Sequence, residues 1–203
     1  MIAIVDYSMG NIHSVQKALG LFGAKTLITN KPEDISGSDK IVLPGVGAFD
    51  DASLELEKQG LVPVLKEAIK KGKPFLGICL GMQLLFEKSE EAKKNKGLGV
   101  FKGSVKQFQQ SKSLKVPHMG WNQLKVISGA CPLLKGIPSG AFVYFCHSYY
   151  PDCKNKSNIA ATTEYGGNFA SVVWQKNVFG VQFHPEKSQE TGLRILKNFV
   201  ELC

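Results

Sequence analysis

Four short apolar runs divide the first 80 residues, and each leads into a stretch with helical spacing. The runs "IAIVDY" (2–7), "KTLIT" (25–29), "DKIVLPG" (39–45) and "PFLGIC" (74–79) read as buried strands. A helix is expected from about Asn11 to Leu21, and a long one within 51–71, broken or kinked at Pro63. A third helix is expected in "LGMQLLFEKSE" (80–90), where Leu80, Leu84 and Leu85 fall on one stripe. A chain that alternates strand and helix in this way can bury its apolar residues in few arrangements. The economical one is an open, mostly parallel sheet with helices on both faces, an α/β fold of the flavodoxin-like kind.

The second half loses the alternation. "GSVKQF" (103–108), "NQLKVI" (122–127), "AFVYFCHSYY" (141–150), "NIAATTEY" (158–165), "ASVVWQKN" (170–177) and "VFGVQFH" (178–184) are strand-like runs between turn residues. They predict an antiparallel or mixed extension of the sheet. An amphipathic helix from about Gly192 closes the chain, with Leu193, Leu196, Phe199 and Val200 toward the core. Without repeats or linkers, residues 1–203 are expected to form a single domain.

Composition excludes several classes. The net charge of +8 raises nucleic-acid binding, but the lysines are scattered among acids, as in "KEAIKKGK" and "EEAKKNKG". A solvated face is the first reading and a basic docking face for an acidic partner the second, and no nucleic-acid partner is expected. No apolar stretch matches a membrane span, and "MIAIVDYS" has neither a basic region nor a cleavage signature. The expectation is a chain without leader or membrane association, located in the cytoplasm. Five scattered cysteines without a C-x-x-C pair suggest neither a disulfide framework nor a zinc site, and no metal or cofactor is expected.

Chemistry concentrates in "GICLG" (77–81), where Cys79 stands between the fourth strand and its helix. Glycines on both sides allow a sharp turn and close packing, the geometry of a nucleophile elbow. A helix N-terminus beside the thiol would favour the thiolate. A buried structural cysteine remains the alternative reading of this pentapeptide.

A cysteine nucleophile needs a base, and there are four histidines. His13 lies in the first helix, away from the strand ends where open α/β sheets place their sites. His118 sits in "VPHMGWN" and His147 at the end of "AFVYFC". His184 precedes Pro185, which biases it toward extended geometry and ends the strand ladder. In extended chain Glu186 shares its face, so a carboxylate can orient the imidazole. Cys79, His184 and Glu186 thus read as nucleophile, base and orienter. Acyl chemistry also needs oxyanion donors: the amide of Leu80, and that of Val46 in "LPGVGAF" (43–49), where Gly45 and Gly47 flank it.

"PGVGAF", "GICLGMQLLFE" and "FHPEKS" together resemble the class I, or triad, glutamine amidotransferases. "DYSMGNIHSV", "PHMGWN" and "HSYY" make the chain more similar to the glutaminase subunits of imidazole glycerol phosphate synthase, over nearly its whole length. The resemblance implies attack of Cys79 on glutamine, release of ammonia, and hydrolysis of a thioester. It implies a heterodimer with a (β/α)₈ synthase partner that uses the ammonia in histidine biosynthesis. It assigns Gln83 and Glu91, with the backbone of His147, Ser148 and Tyr149, to the substrate pocket; read from the helix alone, Gln83 serves equally as a solvent-facing residue. Gly45 lines that pocket as well, and Asn11 with Pro117, His118, Met119, Gly120, Trp121 and Asn122 faces the synthase. The glycines suggest a switch, with one peptide of the loop turning inward only when the partner is loaded. Two alternatives stay open: a paralogue feeding ammonia to another synthase, and a stand-alone cysteine amide hydrolase.

Overall fold

A computed structural model of the chain describes residues 1–109 and 114–203. The first half gives β1 (Ile2–Val5), α1 (Ile12–Gly20), β2 (Thr26–Thr29), α2 (Pro32–Gly37), β3 (Lys40–Gly45), α3 (Phe49–Lys58), α4 (Leu61–Lys70) and β4 (Phe75–Cys79). One helical turn, α5 (Leu80–Gln83), leads to β5 (Phe86–Ser89) and β6 (Phe101–Gln107). The remainder is β7 (His118–Gln123), β8 (Lys125–Val126), β9 (Phe142–His147), β10 (Tyr149–Cys153), β11 (Ile159–Glu164), β12 (Asn168–Gln175), β13 (Val178–Val181) and α6 (Gln189–Leu202).

The main sheet runs β2-β1-β3-β4-β13-β12-β11-β8. Its first five strands are parallel, and β12, β11 and β8 add to it antiparallel. Alternation along the parallel strands loads both faces. Ile2 and Ile4 join α1 and α6 residues such as Leu19 and Phe199 in one apolar cluster. Ala3 and Val5 join Ile35, Leu56 and Leu65 of the opposite helices in another. Burial of both faces is why the interior strands β1, β3, β4 and β13 are apolar along most of their length, while the edge strand β2 carries Thr26 and Thr29. The α/β fold with an antiparallel extension is as expected.

Local structure departs from expectation at five points, the first being the run 122–127, which breaks at Leu124 between β7, paired with β9, and β8 at the edge of the main sheet. The helix within 51–71 divides at Gly60, not Pro63: Gly60 takes φ 66°, a left-handed conformation that ends α3. Pro63 sits in the first turn of α4, where a missing N–H breaks no helical bond. The helix expected over 80–90 is only α5. Beyond it, Leu84 and Leu85 carbonyls accept from Leu98 (2.7 Å) and Val100 (2.8 Å), so tertiary pairing converts the segment to strand. Leu80, Leu84 and Leu85 are buried as their pattern required. "AFVYFCHSYY" splits at Ser148 into β9 and β10, which pair with β7 and β6 respectively. Finally, α2 went unread in the sequence, although Pro32, Glu33 and Asp34 form an acidic helix start. Among the described residues, no helix is long and apolar enough to cross a membrane.

Candidate active site

The C-terminal ends of β3, β4 and β13 meet in one place. At the end of β4, Cys79 adopts φ 54°, a left-handed backbone rare for a side-chain-bearing residue. The turn is that tight because α5 packs directly on the sheet: a Cβ on Gly81 would lie 1.8 Å from the Leu43 carbonyl oxygen, and one on Gly77 2.6 Å from that of Gly81. This is the expected elbow. With only four residues in α5, however, the helix dipole behind the sulfur is slight, and charge stabilisation falls to side chains.

His184 follows β13, whose Val181 is in register with Ile78 of β4. Its Nδ1 donates to Glu186 Oε1 at 2.9 Å, with the two side chains 5% and 1% exposed. That bond leaves Nε2 for the sulfur. Pro185–Lys187 forms a short 3₁₀ turn, so the turn and not an extended strand brings Glu186 back to His184. Burial disfavours the imidazolium, yet hydrogen bonds and charge from Cys79 and Glu186 outweigh it and raise the His184 pKa to about 10. The arrangement can hold a thiolate–imidazolium pair. Glu186 Oε2 is buried with no hydrogen-bond partner among the described residues, which leaves the His184 Nδ1–H as the side-chain donor to that carboxylate.

His147 is occupied elsewhere: its Nδ1 meets the Tyr149 carbonyl at 2.8 Å and its Nε2 meets His118 Nδ1 at 3.0 Å. It cannot serve as the base without breaking one of these bonds. His13 is absent from the site.

A cavity of about 330 Å³ opens over Cys79. It is lined by Val46, Leu80, Gln83, Glu91, Pro117, His147, Ser148, Tyr149 and His184, which gathers most of the expected pocket residues. Gln83 is 4% exposed, so it is no solvent-facing helix residue. Its Nε2 donates to the Tyr149 carbonyl (2.9 Å) and to Gln182 Oε1 (3.2 Å). Glu91 Oε2 accepts from the Phe49 amide at 2.8 Å, while burial pushes its carboxyl pKa upward. Gly45 lies beneath the pocket, where an added Cβ would fall 2.2 Å from the Tyr7 hydroxyl.

The β7–β9 ribbon sorts "PHMGWN" by alternation. Met119 and Trp121 are 61% and 47% exposed, whereas His118, on the other face, is buried at 3%. The side chain of His118 therefore faces the core and not a partner. Asn11 is exposed at the start of α1.

Sequence reasoning missed Tyr7, Cys146, Gln182 and Lys187. The Tyr7 hydroxyl donates to Pro44 O at 2.9 Å, beneath the glycine loop. Cys146 O lies 3.9 Å from Cys79 Sγ, and Lys187 lines the pocket. Gln182 Nε2 approaches Cys79 Sγ at 3.8 Å. Only Gln182 had a usable signal, standing two residues before His184 in an extended run.

The family model for class-I glutamine amidotransferases matches residues 3–203. Solved structures agree at the level of fold: one described as a glutamine amidotransferase superposes with a TM-score of 0.77 at 19% identity, covering 99% of this chain and 98% of that one. The PurLQS structure from Thermotoga maritima gives a TM-score of 0.76 at 20% identity, covering 98% and 96%. Among curated proteins, the imidazole glycerol phosphate synthase subunit HisH of Caldanaerobacter subterraneus subsp. tengcongensis is 53% identical, covering 100% of this chain and 98% of that protein. The subunit of the same name from Thermosynechococcus vestitus is 50% identical, covering 99% and 96%. The chain belongs to the class-I glutamine amidotransferases and, within them, to the imidazole glycerol phosphate synthase subunit HisH family.

Proposed function

We propose that residues 1–203 form one amidotransferase domain that hydrolyses glutamine and hands the ammonia to a synthase subunit making imidazole glycerol phosphate. The observation that carries the reading is the buried His184–Glu186 pair set against Cys79 in the wall of a small-molecule pocket.

Cys79 Sγ attacks the carboxamide carbon of glutamine after giving its proton to His184. The tetrahedral intermediate collapses as His184 returns that proton to the leaving ammonia, which leaves a γ-glutamyl thioester. His184 then takes a proton from water, and hydroxide attack on the thioester releases glutamate. The amides of Leu80 and, once the glycine loop turns, Val46 hold the oxyanion. Glu91 faces the substrate ammonium, and Gln83 with the 147–149 backbone holds the rest of the amino-acid end.

The partner is a (β/α)₈ cyclase in a heterodimer. Met119, Trp121 and Phe142, the last 53% exposed, supply an apolar outer face on β7 and β9 for it, and Asn11 and Pro117 are assigned to the same partner. All five cysteines are free, which suits a reducing cytoplasm.

The test is a pair of assays on the assembled enzyme, glutamine hydrolysis and glutamine-dependent synthesis. Both are expected, with hydrolysis stimulated by the synthase substrate. Full hydrolytic activity without any partner would instead support a stand-alone amide hydrolase.

A further inference from the structure

A chain of hydrogen bonds, exposed at Asn122 and buried at Cys79, runs from the β7–β9 ribbon to the nucleophile, and its protons can be placed link by link. The Tyr149 carbonyl can only accept, so His147 Nδ1, 2.8 Å away, carries a proton. Burial holds His147 at about 3 and His118 at about 4, so each ring is neutral with a single N–H. His147 Nε2 is then an acceptor, and His118 Nδ1 at 3.0 Å must be its donor. His118 Nε2 in turn accepts from Asn122 Nδ2 at 3.2 Å. The other Asn122 amide hydrogen goes to Glu164 O at 2.9 Å, and Asn122 Oδ1 accepts from the Gln123 amide at 2.7 Å, which fixes the amide orientation.

The same Tyr149 carbonyl accepts from Gln83 Nε2 (2.9 Å), which also donates to Gln182 Oε1 (3.2 Å), whose own amide reaches Cys79 Sγ. His118 lies outside the pocket. Its ring is gripped by Tyr165 (centroids 3.9 Å) and Phe145 (4.7 Å), so it has one fixed direction in which to donate.

We propose that His118 is a positioning residue for glutamine binding: it acts through His147 on the Tyr149 carbonyl, and through that carbonyl on Gln83. The proposal rests on the glutaminase reading and adds to it the group that sets the pocket wall. A wall that contacts the non-reacting end of the substrate is used equally in ground and transition states. Its loss therefore raises KM and leaves kcat nearly unchanged.

Two measurements test this. Nitrogen NMR on isotope-labelled histidine in the native chain at neutral pH should find both rings neutral and protonated on Nδ1. Kinetics in the assembled enzyme should compare His118→Phe, which keeps the ring stacking and removes the donor, with His118→Asn, whose amide nitrogen sits near the position of Nδ1. His118→Phe should raise the glutamine KM about tenfold, the worth of one buried hydrogen bond, with kcat within about threefold of native. His118→Asn should return KM to within about twofold of native. A proton on Nε2 of either ring, an unchanged KM in His118→Phe, or failure of His118→Asn to restore it overturns the proposal. Complete absence of glutamine hydrolysis in the native enzyme would defeat the functional reading beneath it, and is told apart because the ring protons are read without turnover.

Discussion

His184 Nδ1 and Glu186 Oε1 lie 2.9 Å apart, two residues distant in sequence and both shielded from water. The bond fixes the tautomer that presents Nε2 to Cys79 and supports the imidazolium once it forms. His184→Asn should therefore lower kcat by at least about 10²-fold, the usual worth of a general base. Glu186→Gln should cost less, since an amide still shapes the turn although its charge is gone. His147→Asn should be milder than His184→Asn, because its nitrogens are spent on His118 and Tyr149. Steady-state glutaminase kinetics on the three variants decide the order. A larger loss at His147 would transfer the base to that residue.

The nucleophile has a test that separates the two half-reactions. Cys79→Ala should abolish glutamine-dependent synthesis while synthesis from added ammonium salt continues at the native rate. The elbow geometry at Cys79 concerns the amide only, and the partner's chemistry does not use the sulfur. Retained glutamine hydrolysis in Cys79→Ala would sink the assignment.

The glycine loop sets the third expectation. An oxyanion donor that turns inward only in the loaded complex acts on the transition state and so on kcat. The loaded partner should raise kcat far more than it lowers KM, by about 10²- to 10³-fold for one donor. Gly45 is a poor place to test this, because a Cβ there collides with the Tyr7 hydroxyl and crowds Leu80. Gly47 is the better probe: its Cβ would meet only the flexible end of Met9, and at φ 99° a side chain strains the loop itself and not the packing beneath it. Gly47→Val should keep complex formation and lose most of the stimulation, measured as the ratio of loaded to unloaded kcat. An unpartnered chain already working at the stimulated rate would rule the gate out.

Acid should weaken the fold through the buried pair. Burial depresses His118 to about 4 and His147 to about 3, below an ordinary value of about 6.5. Between those limits the unfolded chain binds more protons than the native one. Stability is therefore complete above about 6.5 and is lost as pH falls toward the folded values. His184 has the opposite sign: raised to about 10, its contribution is full below about 6.5 and fades as pH climbs to about 10. Urea midpoints measured from pH 7 down to pH 4 should fall, and should fall less steeply in His118→Phe, which has one buried imidazole fewer. An equal slope in the two proteins would remove His118 from the account.

The sequence by itself determined the parallel α/β half, the elbow at Cys79 and the His184–Glu186 pair. Each is a short-range consequence of pattern: apolar runs buried on both faces, glycines where two backbones touch, a carboxylate two residues from an imidazole. The tertiary structure alone decided that residues 86–89 form a strand, because they pair in parallel with residues 101–105 of β6. It alone turned His118 inward while Met119 and Trp121 stayed outside, since the pairing of β7 with β9 sets which side faces the core. The same holds for Tyr7 beneath Gly45 and for the bonds from Asn122 through two histidines to Gln83. The links Tyr7–Pro44, His118–His147 and Gln83–Tyr149 join residues 37, 29 and 66 positions apart, and nothing in local spacing encodes which distant acceptor a buried donor will meet.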